Sequence, residues 1–185
     1  HAAAHGGALT AADLAAHAPE WVAPIAQPYR DVLVHELPPN GQGIAALMAL
    51  GILRETPFAA LEPDSADALH LQIEAIKLAF ADIAAYCADP AHMKTVRPDH
   101  LLDQVYLKRR ANMIDPGRAQ DFGAGAPTEG GTVCLAAADT DGMMVSYIQS
   151  NYAGFGSGVV VPGTGISLQN RGLGFTLAAG QPNQV

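Results

Sequence analysis

The chain has 185 residues, a formal net charge of −8, 49% hydrophobic residues and 15% charged ones. That composition suits a packed core rather than a disordered tail, and an acidic balance with one short basic run, Lys108-Arg109-Arg110, argues against a nucleic-acid partner. No apolar stretch reaches the ~18–20 residues of a membrane span, the start His1-Ala-Ala-Ala-His5 lacks the basic lead and apolar segment of a secretion signal, and two distant cysteines, Cys87 and Cys134, form neither a CxxC pair nor a disulfide framework.

Thr10-Ala-Ala-Asp13 predicts a short helix that stops near Ala18-Pro19, with Thr10 as cap and Asp13 in the first turn, where the helix dipole favours an acid. Residues 21–29 are interrupted by Pro24 and Pro28, and Asp31 to Leu37 has strand character. Pro38-Pro-Asn-Gly-Gln-Gly43 is a tight turn into an apolar helix from Ile44 to Leu53. The spacing of Leu69, Ile73, Ile76, Phe80, Ile83 and Cys87 then predicts one apolar stripe on a long helix from about Ser65 to Ala88, capped by Asp64 or Ser65 and stopped by Asp89-Pro90. Cys87 reads as core, since a free cysteine is usually buried. His70 and Glu74, four residues apart, read as a local polar pair.

Another helix is expected over Asp99 to Met113, with the basic run on its solvated face. Gly117 to Gly131 is glycine-rich and has no helical period, so it reads as a linker and the main boundary of the chain. Beyond it the pattern becomes β. Thr132 to Ala138 and Met143 to Gln149 are strands of a hairpin turned by Asp139-Thr-Asp-Gly142, followed by the small-residue loop Ser150 to Gly158. His1 and His5 could share a helix face, but no carboxylate accompanies them, so neither a metal nor any other cofactor is expected.

Chemistry concentrates at Gly131-Thr132. Glycine at 130 and 131 permits an unusual backbone beside a threonine hydroxyl that can attack its own preceding carbonyl. The resulting N-to-O acyl shift and ester hydrolysis would free the Thr132 amine, whose reference pKa near ~8 suits a base beside its own hydroxyl. From spacing alone, however, Thr132 reads as a residue that opens a β-strand after a Gly-Gly turn.

Gly131-Thr-Val-Cys-Leu-Ala-Ala-Ala-Asp-Thr-Asp-Gly142, Val145-Ser146, Phe155-Gly-Ser-Gly158 and Gly163-Thr-Gly-Ile166 together resemble the start of the small subunit of gamma-glutamyltranspeptidases. Leu37 to Gly43, Glu74 to Asp82 and Asp89-Pro90 resemble late parts of that family's large subunit. The resemblance spans nearly the whole chain. It implies an α+β fold, part of an αββα N-terminal-nucleophile sandwich, helical before the junction and β-rich after it. Residues 1–131 would be the end of a large subunit and 132–185 the start of a small one. It further implies self-cleavage between Gly131 and Thr132, with Thr132 as nucleophile. Ser150 falls at a family threonine that contacts the nucleophile, and Asn151 falls near an asparagine that contacts the glutamyl group.

The departures matter. Val133 and Cys134 replace residues commonly threonine and histidine, and Gly174 stands where the family has an aspartate that pairs with the substrate α-amine. Arg171 adds a positive charge nearby that could meet a carboxylate instead. The wording of Gln149 to Tyr152 and Gln169 to Gly172 is closer to the cephalosporin-acylase-like branch. The expected function is therefore hydrolysis or transfer of a γ-glutamyl- or glutaryl-type acyl group through an acyl-enzyme. The expected partners are a small amide substrate and the remainder of the polypeptide or a partner subunit. The family's substrate-binding arginine is expected before His1 and its Gly-Gly oxyanion hole after Val185, which makes a fragment of low turnover the expectation. The alternatives are a catalytically silent, unprocessed chain or interaction subunit of the same fold and, less supported, a glycine-loop binding module. The compartment, cytoplasmic or periplasmic, is left open.

Overall fold

Helix α3, Ala66–Tyr86, organises the helical part of the chain. A computed structural model describes residues 3–122, 132–180 and 183–185, and contacts divide the chain into two units, residues 22–127 with 176–185 and residues 1–21 with 128–175. In the first unit the Ser65 hydroxyl accepts from the Ala68 N–H at 3.2 Å and starts α3. At its other end the Cys87 N–H donates to the Ile83 carbonyl at 2.9 Å.

The buried face of α3 is Ala68, Leu71, Glu74, Ala75, Leu78, Ala79, Asp82 and Ile83. This corrects the expected stripe: Leu69 and Ile73 are 46% and 54% exposed, whereas Ile83 and Cys87 are buried. The spacing of large side chains overlooked the alanines. Ala75 and Ala79 are small enough to let α3 close on helix α2, Gly43–Arg54, whose Ile44, Leu47, Met48 and Ile52 are fully buried. Gly51 of α2 serves the same end. A Cβ there would lie 2.5 Å from a Leu107 methyl and 2.7 Å from the Gln27 amide nitrogen.

Strands β1, Ile25–Tyr29, and β2, Val32–Glu36, form an antiparallel hairpin against α2. The two prolines concealed β1 in the sequence. Pro28 pairs with Leu33, one step from the closing Tyr29–Val32 pair, a position whose N–H points away from the partner strand, so the missing donor costs no ladder bond.

The single helix expected over Asp99 to Met113 is two, α4 (Pro98–Leu101) and α5 (Gln104–Ala111). Asp103 divides them because its carboxylate accepts from the Tyr106 N–H at 2.9 Å and caps a new start. Lys108 and Arg109 are exposed, as expected of the basic run, but Arg110 turns inward. Its guanidinium lies 2.9 Å from buried Asp82 and donates to the Leu78 carbonyl at 3.2 Å. Burial raises the Asp82 carboxyl above its ordinary range, and the Arg110 charge opposes that shift. Cys87 is core, as its spacing suggested, and burial pushes its thiol up to about 11. Among the described residues no helix is long and apolar enough to cross a membrane.

The second unit opens with helix α1, Ala11–Ala16, whose Thr10–Asp13 capping box forms as the sequence predicts. Strands β3, Thr132–Ala138, and β4, Met144–Ser150, make the expected hairpin. The Asp139 carboxylate accepts from the N–H groups of Asp141 and Met143, each at 3.0 Å, and Gly142 takes a φ of 85° that a side chain would resist. The chain as described is α+β, with most of its helix before residue 122 and strands β3 and β4 after it.

Candidate active site

The β3–β4 register sets the geometry. Thr132 and Ser150 are Cα partners, the first residue of β3 opposite the last of β4. Residues directly opposite on an antiparallel pair are near neighbours on one face. The Thr132 side chain and all of Gly131 lie outside the described residues.

Beyond Ser150 the chain reverses. The Ser150 hydroxyl accepts from the Tyr152 N–H at 3.0 Å, and Tyr152 takes a φ of 77°. That left-handed backbone is uncommon for a bulky residue and costs of order 1–3 kcal/mol. The turn brings Arg171 back to the end of β4. Its guanidinium donates to the Ser150 carbonyl at 3.4 Å and stands 5.6 Å from the centre of the Tyr152 ring, within cation–π range. Ser150, Asn151 and Arg171 thus meet at one end of the hairpin. Asn151 accepts from the Asn170 N–H at 3.1 Å through its carbonyl, and its side-chain amide has no hydrogen-bond partner among the described residues.

The residue that holds this loop together escaped the sequence reading. The Asn170 carboxamide oxygen accepts from the Ala153 N–H at 2.9 Å, and its nitrogen donates to the carbonyls of Ala153 and Gly156 at 3.2 and 3.1 Å. Gly156 is needed for closeness. Its φ is 72°, and a Cβ there would sit 2.6 Å from the Leu168 carbonyl oxygen. The only signal in the sequence was an asparagine between Gln169 and Arg171, and nothing in local spacing points to partners fourteen and seventeen positions away. Gly174, where a carboxylate was missing, faces open space: no atom lies within 4 Å of a Cβ built there.

A cleft of about 490 Å³ lies elsewhere, in the helical unit, lined by residues that include Thr56, Asp67, His70, Asn112 and Pro116. None of the site residues read from the sequence borders it. Among the described residues no group of three or more histidine, cysteine, aspartate or glutamate side chains is arranged to hold a metal.

The sequence profile of the gamma-glutamyltranspeptidase family matches residues 1–185. The chain belongs to the gamma-glutamyltranspeptidase family. Within that family it is 38% identical over its whole length to a glutathione hydrolase-like proenzyme, YwrD, of Bacillus subtilis, covering 35% of that protein. It is 39% identical over 95% of its length to an oxamate amidohydrolase proenzyme of Klebsiella pneumoniae, covering 32% of it. The chain therefore spans about a third of the length of these relatives. Among solved structures, the gamma-glutamyltranspeptidase of Pseudomonas nitroreducens complexed with L-DON superimposes with a TM-score of 0.58 at 28% identity, over 68% of this chain and 38% of that one.

Proposed function

We infer that this chain carries the processing junction and nucleophile of an amide-cleaving proenzyme, with Thr132 as both the residue freed by cleavage and the group that attacks substrate. The observation that carries the reading is the β3–β4 register, in which Thr132 opens one strand opposite Ser150 at the end of the other. Membership of the family supports it, as do two relatives whose names are those of proenzymes, one a glutathione hydrolase-like protein and the other an amidohydrolase.

In processing, the Thr132 hydroxyl adds to the Gly131 carbonyl, the amide nitrogen leaves as the Thr132 amine, and water hydrolyses the ester. Residues 1–131 then end one chain and residues 132–185 begin the next. In turnover the free amine takes the hydroxyl proton as oxygen attacks the substrate amide. The leaving amine departs with a proton, and an acyl ester stays on Thr132 until water or an acceptor amine removes it. Ser150 orients the nucleophile by hydrogen bonding. The Asn151 amide contacts the acyl chain, and Arg171 meets a carboxylate at its far end, for which a planar guanidinium is well matched. With Gly174 where the family has an aspartate, this position offers no partner for an ammonium group. This favours a glutaryl-type acyl group over γ-glutamyl, and hydrolysis over transfer.

The test uses the full-length proenzyme. Wild type should appear as two chains, the smaller beginning Thr-Val-Cys-Leu, and Thr132→Ala should remain whole and fail to cleave either glutaryl or γ-glutamyl anilide. A Thr132→Ala protein that processes like wild type would falsify the nucleophile assignment. A strong preference for γ-glutamyl anilide with efficient transfer to a dipeptide would remove the specificity argument while leaving the nucleophile. A wild type that stays whole and inactive would favour the silent reading.

A further inference from the structure

The turn that follows β4 sets an aromatic ring against a cation. Tyr152 and Arg171 lie in the same unit as the hairpin, and their chain neighbours are tied together. The Asn170 N–H donates to the Asn151 carbonyl at 3.1 Å, and the Asn170 carboxamide bonds both backbone groups of Ala153. The residues on either side of Tyr152 are thus held by the residue beside Arg171. On this frame the guanidinium makes two contacts. It donates to the Ser150 carbonyl at 3.4 Å, and it stands 5.6 Å from the centre of the Tyr152 ring. A 3.4 Å bond is long for N–H···O, and alone it leaves a long side chain free to swing. The ring is the second hold that fixes its direction.

Two observations set this pair apart. The φ of 77° at Tyr152 is one that the same loop otherwise gives to glycine, at Gly154, Gly156 and Gly158. Glycine would adopt it without the strain that a bulky residue meets, so what tyrosine adds here is its side chain. Arg171 differs from other arginines of the chain. Arg54, Arg97, Arg110 and Arg118 each pair with a carboxylate, whereas Arg171 has no carboxylate partner among the described residues. A guanidinium carries five N–H donors in a planar fork. Contact with a ring uses none of them, and the fork matches a carboxylate with two parallel bonds.

We propose that Tyr152 determines acyl specificity by acting through Arg171: its ring holds the guanidinium at the Ser150 end of the hairpin, ready for a carboxylate on the far end of the acyl group. The proposal rests on the role given to Arg171 above. Tyr152 is a positioning residue, and its effect is confined to substrates that carry the distal carboxylate.

The matured full-length enzyme tests this with glutaryl anilide and pentanoyl anilide, which differ by a carboxylate against a methyl group. Asparagine and glycine both tolerate a left-handed backbone and lack the ring, so Tyr152→Asn and Tyr152→Gly remove the contact and keep the turn. Each should raise KM for glutaryl anilide at least five-fold with kcat within two-fold, and lower the preference for glutaryl over pentanoyl by the same factor. Tyr152→Phe keeps the ring and should keep the preference within two-fold. Arg171→Leu should lower the preference at least ten-fold, and adding Tyr152→Asn to it should change the preference less than two-fold, because two residues that act as one are not additive. An unchanged preference in Tyr152→Asn or Tyr152→Gly, beside a loss in Arg171→Leu, would overturn the role of Tyr152 and leave that of Arg171. Equal losses on both anilides, or a loss that persists without Arg171, would make Tyr152 merely structural and also overturn it. An unchanged preference in Arg171→Leu would remove the carboxylate reading itself, and the proposal with it.

Discussion

The helical core and the β3–β4 hairpin are built on opposite principles. Around α2 and α3, Ile44, Leu47, Met48, Ile52, Leu78 and Leu107 have no exposed surface at all, and even the charged Glu74 is sealed in. On the hairpin, Met144, Val145, Tyr147 and Ile148 are all more than half exposed, and Ser150 alone of β4 is half-buried. Within these residues, one region is closed by burial, and the other is ordered by register, a turn and local hydrogen bonds. The difference teaches where each kind of mutation should register: packing defects in the helices, alignment defects at the hairpin, whose end carries the proposed chemistry.

Amide hydrogen exchange in the proenzyme, read separately along α3 and along β3–β4, can break that contrast. The largest effect is expected from Arg110→Ala, which strands Asp82 without its ion partner. A buried pair broken from one side costs about 3–5 kcal/mol, so α3 amides should exchange more than a hundred-fold faster while the hairpin is unaffected. Equal loosening of the hairpin would mean that the two regions open together. Asp139→Ala is the reciprocal change. Losing the turn bonds to Asp141 and Met143 should cost about 1 kcal/mol, roughly five-fold in hairpin exchange and nothing in α3. The smallest effect belongs to Cys87. With its thiol pushed up to about 11 by burial, peptide mapping after alkylation at pH 7.5 should find it unmodified in the native protein and modified only in denaturant. Prompt native labelling would show that the helical core opens far more readily than its burial implies.

The sequence revealed those features whose signal is local. The Thr10–Asp13 cap, the Ser65 start of α3 and the Asp139-to-Gly142 turn each depend on a side chain bonding its own neighbours, and each is found as read. What stayed hidden depends on partners distant in the chain. Large residues alone drew Leu69 and Ile73 into the α3 stripe, although both are exposed, and missed Ala75 and Ala79, which are buried beside Ile83 and Cys87. Arg110 looked like one of three solvated bases until Asp82, a residue of another helix, turned it inward. At the candidate site, Thr132, Ser150 and Asn151 came from an ordered resemblance, which encodes position. Asn170 did not, because its bonding to Ala153 and Gly156 arises only once the loop has folded back.

One modest contact joins residues far apart in the chain. The segment Thr176–Val185 groups with the helices rather than with the hairpin that precedes it. The Asn183 amide donates to the Cys87 carbonyl at 2.8 Å, at the very end of α3. Were the backbone cut before Thr132, as proposed, this hydrogen bond would join residues on either side of the cut.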